Sequence, residues 1–413
     1  MTADGPGDWA GHPLLDTVAS LWPTARVAIA PGRRGARGKE LIYVPNSDNP
    51  RLLVPAGHRR ASSTALLRFN HYLPVKDRIR RVIGAVGLRA GAERLLAHRI
   101  TLAERESSPD SIETYLSGVL GQEVVVSLGI GLARANQKPV LEAFDRSGRR
   151  LAFVKIGDTQ NTRNLVRGEA EALRRTERIR WSSLSVPKLI SVGSWHSFEV
   201  LVMSVLPVPA GPALARPVSV PPSKAMGELA RAFSEGSQLV VTCGLMQRLR
   251  VGVPEVADPA TATRYADALD RIAASYPHTV LDFAAWHGDW TPWNMAWRRR
   301  RLQLWDWERF ETGVPVGMDR IHYVLALLAR TEGFTARTIV RALGLPTARE
   351  YARPTQQDAL GLLYLASIVN RYLTGSDREH PGPVQARAAA AIDALCWLTQ
   401  NPGASDAQDP GWL

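Results

Sequence analysis

The chain of 413 residues reads as an α+β protein with more than one core, and three features of its sequence predict this. Short apolar runs separated by turn residues fill positions 124–203, the pattern of an antiparallel meander. After position 223 apolar residues recur mostly at helical spacing. Before position 107 strand-like and helix-like stretches are mixed. An apolar content of 45% can fill two or three cores, and no run approaches the long uncharged stretch of a membrane span.

In chain order, residues 25–30, 41–44 and 52–54 read as short strands, with the turn Asn46-Ser47-Asp48-Asn49-Pro50 between the last two. Helical stretches follow at 62–69 and 75–96. Whether this part folds alone or extends the next sheet is open at this level. Residues 108–113 start a helix, with a proline near the first turn and Asp110 three places ahead of Glu113. A strand at 124–128 then runs into Gly129 and Gly131, glycines that would let backbone N–H groups approach phosphates. Lys138 stands at the edge of that loop. A second strand covers 139–144, and the turn at 145–148 leads to a third at 151–157 whose single cation is Lys155. The helix that opens near Arg167 carries Glu169 and Glu171. Residues 187–193 and 198–203 read as a hairpin, after which Pro207, Pro209, Gly211 and Pro212 end regular structure. Helical patterns at 223–234, 261–276, 319–330, 355–373 and 384–398 complete the chain.

The chemistry concentrates in His287-Gly288-Asp289-Trp290-Thr291-Pro292-Trp293-Asn294 and, twelve residues past Asn294, Asp306-Trp307-Glu308. Pro292 argues for a loop between Asp289 and Asn294. Residues 295–297 and 302–305 read as a hairpin whose turn is Arg298 to Arg301, so Asp306 returns to the neighbourhood of Asn294. One carboxylate able to orient a hydroxyl, with an amide and a second carboxylate able to hold metal, suits phosphoryl transfer, which depends mostly on positioning and on neutralising charge.

This ordered set resembles the motifs of the aminoglycoside phosphotransferase and choline kinase branch of the protein kinase-like superfamily. The resemblance implies a two-lobed kinase-like fold, with an antiparallel β-sheet small lobe at 108–206, a mainly α-helical large lobe at 207–413, and an accessory basic α+β module at 1–107. It implies that Asp289 is the catalytic base, that His287 supports its loop, and that Asn294 and Asp306 bind Mg²⁺. Lys155 would pair with Glu169, with Glu171 as the alternative, and set the phosphates of ATP or GTP. Gly129 and Gly131 would lie over those phosphates, and the base would lie against a hinge at Met203, Ser204 and Leu206. An aspartate at the place of Asp319 caps the next helix in that family. Position 288 is glycine where protein kinases carry an arginine, and no activation segment follows Asp306, so the acceptor implied is a small hydroxyl-bearing molecule.

Charge is uneven. Residues 1–205 hold 30 Lys and Arg against 19 Asp and Glu, whereas residues 206–413 hold 21 against 20. The near balance around the expected acceptor pocket disfavours a polycationic aminoglycoside, whose site should be acidic. The densest basic stretch is Lys76, Arg78, Arg80, Arg81, Arg89, Arg94 and Arg99, in which Ile79, Val82, Ile83 and Val86 follow helical spacing. The expectation is a helix packed on the core with a solvated arginine face, and no contact with nucleic acid or a membrane surface. Six of the twelve tryptophans, Trp286, Trp290, Trp293, Trp297, Trp305 and Trp307, crowd the catalytic segment, mainly as packing beneath it. Residues 1–13 lack a leader pattern, and Cys243 and Cys396 stand far apart without metal-ligand spacing, which reads as cytoplasmic. Two other readings stand beside the kinase: a kinase-like scaffold that has lost turnover, and a nucleic-acid-binding protein working through the basic amino-terminal half.

Overall fold

Strands alternate their side chains between two faces, and in this protein both faces of one long sheet are covered. The computed structural model describes residues 13–31, 39–45, 51–67, 74–96, 98–104, 110–129, 139–207, 220–350, 352–374 and 381–403. Gly131, Lys138, the turn at 46–50, Pro209, Gly211 and Pro212 lie outside them. The amino-terminal elements are α1 (Pro13–Leu21), β1 (Ala25–Pro31), β2 (Lys39–Val44), β3 (Leu52–Pro55), α2 (Arg59–Leu66), α3 (Val75–Ala90) and β4 (His98–Glu104). Then come α4 (Ile112–Leu120), β5 (Val125–Gly129), β6 (Val140–Phe144), β7 (Arg150–Gly157), α5 (Gln160–Glu177), β8 (Leu184–Ser185), β9 (Leu189–Trp195) and β10 (Phe198–Ser204).

Nine of these strands form one antiparallel sheet in the order β1-β4-β2-β3-β5-β6-β7-β10-β9. The question left open by the sequence is answered at the β3–β5 seam, where Leu52 pairs with Gly129 and Leu53 with Leu128. The amino-terminal strands extend the small-lobe sheet. Alternation then divides the core. Leu41, Tyr43, Leu53, Val126, Leu128, Val154, Ile156, Val200 and Val202 share one apolar cluster with α1 and α4. Ile42, Val54 and Val125 face the other way into a cluster with α2 and α3. Leu201, Met203 and Phe153 lie in a third with α5. Lys155 is two residues from Phe153 and therefore projects on the α5 side.

Several elements depart from expectation. Residues 98–104 form β4, with Ile100 and Leu102 alternating into the core. The helical stretch at 75–96 ends at Gly91, whose φ of +97° closes α3 before a short 3₁₀ turn over Ala92–Leu95. The cap of α4 is Ser111, whose Oγ accepts from Thr114 N at 3.2 Å, while Glu113 accepts from Val126 N at 2.9 Å and pairs with Lys39. The larger correction concerns α3. Most of its expected core stripe is on the outside: Ile79, Ile83 and Val86 are 50%, 67% and 64% exposed, and Val82 is half-buried. The buried residues of the helix are Arg78, Ala85 and Leu88, and the last two share a cluster with α2. Arg99 lies on β4 and is buried, so the basic stretch does not form one solvated face.

The large lobe comprises α6 (Ser223–Ala232), β11 (Gly236–Leu239), α7 (Gly244–Gly252), α8 (Pro259–Ser275), β12 (Val280–Trp286), β13 (Met295–Arg298), β14 (Arg301–Leu304), β15 (Glu311–Pro315), α9 (Met318–Glu332), α10 (Ala336–Gly344), α11 (Pro346–Arg349), α12 (Pro354–Thr374) and α13 (Pro381–Gln400). Its core joins α7 to α10, α12 and α13 around Tyr265, Leu269, Ile339, Leu363 and Leu395. Two small sheets, β11-β12-β15 and β13-β14-β8, are joined by the segment 287–294, which leaves β12 and enters β13. The fold is thus α+β and two-lobed, with an antiparallel small lobe and a mainly helical large one. Cys243 and Cys396 are free thiols, and no helix among the described residues is long and apolar enough to cross a membrane.

Candidate active site

Lys155 leaves the centre of β7 toward α5, where Glu169 is completely buried. Lys155 Nζ lies 2.5 Å from Glu169 Oε2, pairs also with Asp306, and is 3.7 Å from Glu308 Oε2. Glu171, by contrast, is exposed and lies beside Arg174. Burial alone would lower the ammonium's pKa, but Asp306, Glu169 and Glu308 outweigh it and hold Lys155 well above its ordinary value. The second oxygen of Glu169 accepts from Trp307 N at 3.2 Å, which ties the small-lobe helix to the segment after β14.

That segment arrives by the expected hairpin: Met295 pairs with Leu304, and Trp305 N donates to Asn294 O at 3.1 Å. Asp306 takes a left-handed conformation, φ +72°, which aspartate tolerates better than most residues. A 3₁₀ turn over Trp307–Arg309 follows and brings Glu308 back to the cluster. Ligand oxygens of Glu169, Asp306 and Glu308 lie within 4.8 Å of one another. Three carboxylates and the Asn294 amide oxygen are hard donors that suit Mg²⁺.

Asp289 follows β12 across two residues. His287 is fully buried, and burial pushes its pKa down to about 4, so the ring is neutral at pH 7. Its partners then set the tautomer: Nε2 donates to Trp305 O at 3.1 Å, and Nδ1 accepts from Asp289 N at 3.3 Å. Gly288 has φ +76°, and a Cβ there would stand 2.1 Å from Arg309 O, so only glycine fits the turn. The Asp289 carboxylate is held at both oxygens. Asn294 Nδ2 donates to Oδ2 at 2.8 Å, and His322 Nε2 lies 3.2 Å from Oδ1. His322 Nδ1 in turn meets Tyr364 OH at 3.0 Å.

Asp319 belongs to the first turn of α9, yet its carboxylate reaches outside the helix. It accepts from His287 N at 2.7 Å and Gly288 N at 3.1 Å, a brace for the catalytic loop where a cap of its own helix was expected. Burial, against the pull of those two N–H groups, pushes its pKa up to about 7. Trp286, Trp290 and Trp307 are buried beneath the loop, whereas Trp293, Trp297 and Trp305 are half-buried.

The structure therefore groups Lys155, Glu169 and Asp306 at one point, and Asp289, His287 and Asn294 on the adjoining loop. Gly129 lies at the end of β5, paired with Val140, before the undescribed loop. Where a hinge was expected, Met203 and Leu206 are buried, and Ser204 exchanges hydrogen bonds with Lys188 through Oγ and N, both at 2.8 Å. Sequence reasoning gave no role to Glu308, although it lies two residues from Asp306. It also missed His322, which meets Asp289, Tyr364, which meets His322, and Arg371, which meets Gly288 O, isolated residues on helices with no local signal.

No protein-family model and no curated protein matches the sequence. Among solved structures, a thermostable mutant of the aminoglycoside phosphotransferase APH(4)-Ia, in complex with ADP and hygromycin B, is similar at 13% identity and TM-score 0.46, over 71% of this chain and 99% of that one. A putative fructosamine-3-kinase from Haemophilus somnus 129PT is similar at 13% identity and TM-score 0.41, over 69% and 96%. A choline/ethanolamine kinase family protein from Mesorhizobium loti is similar at 15% identity and TM-score 0.39, over 67% and 88%. Likenesses of this size concern the course of the chain and say nothing of activity or substrate.

Proposed function

We propose that this protein transfers the γ-phosphoryl group of a nucleoside triphosphate, ATP or GTP, to a hydroxyl of a small molecule, with Mg²⁺ as cofactor. The observation that carries the reading is the convergence of Lys155 on β7, Glu169 on α5 and Asp306, 151 positions beyond Lys155, beside a loop that presents Asp289 and Asn294. A buried cation among three carboxylates is costly to assemble for stability alone. Such a cluster serves a ligand that brings both phosphates and metal.

Asp306 and Asn294 would hold the ion, with Glu308 as a further oxygen donor. Bound Mg²⁺ would neutralise charge on the phosphate oxygens. Lys155, kept in place by Glu169, would exchange Asp306 for the phosphates. Asp289 would accept the proton of the acceptor hydroxyl, its carboxylate plane set by Asn294 and His322. Neutral His287 would keep loop and hairpin in register, and Asp319 would hold the N–H groups of His287 and Gly288 beneath.

The test is a thermal midpoint with and without Mg²⁺ and ATP or GTP, for the wild type and Asp306→Asn, because a ligand that binds the native state raises the midpoint. A metal-dependent shift lost in the variant is expected. Asp289→Ala should keep the shift and lose transfer by at least about a hundredfold. Absence of any nucleotide shift in folded wild-type protein would leave a kinase-like scaffold without turnover.

A further inference from the structure

Gly288 is flanked by two arginines that form no ion pair with a carboxylate among the described residues. Arg371 of α12 donates Nη1 to Gly288 O at 2.8 Å and stands over the Trp286 ring at 5.1 Å. On the other side, Arg309 packs so closely that its Cβ would lie 3.0 Å from a Cβ on Gly288. Both arginines are half-buried. Among the described residues neither forms an ion pair, and the Arg309 guanidinium makes no hydrogen bond. Elsewhere in this lobe, arginines withdrawn from solvent do have carboxylates: Arg320 pairs with Glu350, and Arg349 with Asp358 at 3.1 Å.

Nearby acids do not fill the gap. Asp289 has both oxygens engaged by His322 and Asn294, and Asp319 points to two backbone N–H groups with its charge reduced by burial. Burial first, and then the charge of Arg309, hold Arg371 below its ordinary pKa, although Tyr372, Asp289 and Tyr364 pull the other way. A third, exposed arginine, Arg330, stands 5.9 Å over the ring of Trp293 on the same loop. Two arginines that border Gly288, the residue before the proposed base, have guanidinium donors to spare, in the planar geometry that grips a carboxylate or a phosphate.

We propose that the phosphoryl acceptor is a small hydroxylated anion whose carboxylate or phosphate is held by Arg309 and Arg371 while its hydroxyl meets Asp289. This deepens, and rests on, the phosphotransferase reading. In the reaction the acceptor oxygen bonds to the γ-phosphorus as its proton passes to Asp289. The bond from that phosphorus to the bridging oxygen breaks, and the nucleoside diphosphate leaves. The anionic group of the acceptor is unchanged.

The experiment measures ADP or GDP release by the full chain on matched acceptors: glycerol, glycerate and glycerol 3-phosphate, then glucose, gluconate and glucose 6-phosphate. An anionic member should exceed its neutral partner at least a hundredfold in kcat/KM, and the better anion separates carboxylate from phosphate. Arg309→Gln, whose guanidinium holds nothing in the fold, should raise that KM at least tenfold and leave the Mg²⁺–AMP-PNP midpoint shift intact, with partial rescue in Arg309→Lys. Preference for the neutral members, or a KM indifferent to Arg309→Gln, overturns the proposal. A second arm decides the matter if no acceptor of the set is used. Inorganic phosphate and glycerate are titrated onto wild type and Arg309→Gln, each saturated with Mg²⁺–AMP-PNP. A midpoint shift confined to the wild type supports the anion site; no shift, or one kept by the variant, overturns it. Failure of the phosphotransferase reading is recognised separately, by the absence of any nucleotide shift, and the phosphate arm can then be run without nucleotide.

Discussion

The catalytic loop and helix α3 combine the same ingredients, apolar residues at regular spacing beside charged ones, and the structure uses them in opposite ways. Around the loop the polar groups go inward: His287 is buried with both ring nitrogens partnered, and Asp319 of α9 is buried against two loop N–H groups, while Thr291 Oγ1 and Trp290 Nε1 are buried without a partner among the described residues. In α3 the larger β-branched groups Ile79, Ile83 and Val86 go outward, while Ala85 and Leu88 join the cluster with α2 and Arg78 is buried. Burying a polar group requires a partner with defined geometry, so a polar motif constrains its surroundings. An apolar stripe only states that some face is apolar. It does not say what covers it.

The sharpest way to break this comparison is one substitution at a glycine of each region, beginning with Gly288→Ala. A methyl group there meets Arg309 O at 2.1 Å on a backbone with φ +76°. The expected cost is on the order of 4 kcal/mol, with phosphoryl transfer reduced at least about a hundredfold because Asp289 is displaced. Denaturant melts and product release measure the two effects. A variant of wild-type stability would mean that the loop is not held by this contact.

Asp319 gives the next largest effect. Its folded pKa of about 7 lies above the ordinary aspartate value of 3.8, so between those limits the native state binds a proton that the unfolded chain has lost. Its contribution is therefore full at low pH, falls as pH rises through the window, and is flat above about pH 7. His287, pushed down to about 4, works in the opposite sense below pH 6.5, which hides the Asp319 slope in the wild type. The difference between wild type and Asp319→Asn isolates it and should change by on the order of 4 kcal/mol from pH 4 to pH 7. A difference independent of pH would show that Asp319 is not buried as described.

These two cases explain what was legible in the sequence. The spacing of Asp289, Asn294 and Asp306, with a hairpin between the last two, is local information, and the structure reproduces that hairpin. The strand alternation around Lys155 is local as well. By contrast, His322, Tyr364 and Arg371 reach the loop from α9 and α12, and only the packing of those helices brings them there. The β3–β5 seam is a long-range pairing of the same kind, with nothing in either strand to name its partner. Strand β4 was readable in principle from Ile100 and Leu102, but two alternating residues next to a helical stretch are a short signal.

In α3 the matching glycine behaves otherwise. A Cβ on Gly87 meets nothing nearer than Ala92 Cβ at 3.5 Å, an ordinary contact. Gly87→Ala should raise stability by about 0.5–1 kcal/mol through helix propensity alone. The same change is therefore predicted to have opposite signs in the two regions. A loss at Gly87 would show that α3 sits closer to its neighbours than its exposure indicates.

The smallest effect is also the most direct reading of α3. Ile83 is 67% exposed, so Ile83→Ser removes little apolar area from any core and should alter stability by less than about 0.5 kcal/mol. Leu88, 4% exposed, lies in one apolar cluster with Ala61, Leu66 and Phe144, and Leu88→Ala should cost about 2–5 kcal/mol. Helical spacing alone assigned Ile83 to the core. If denaturant melts rank the two positions the other way, that assignment was right and α3 is rotated about its axis from the orientation described; if Leu88 is the costly site, the apolar stripe is surface and the helix is anchored by its narrower face of Arg78, Ala85 and Leu88.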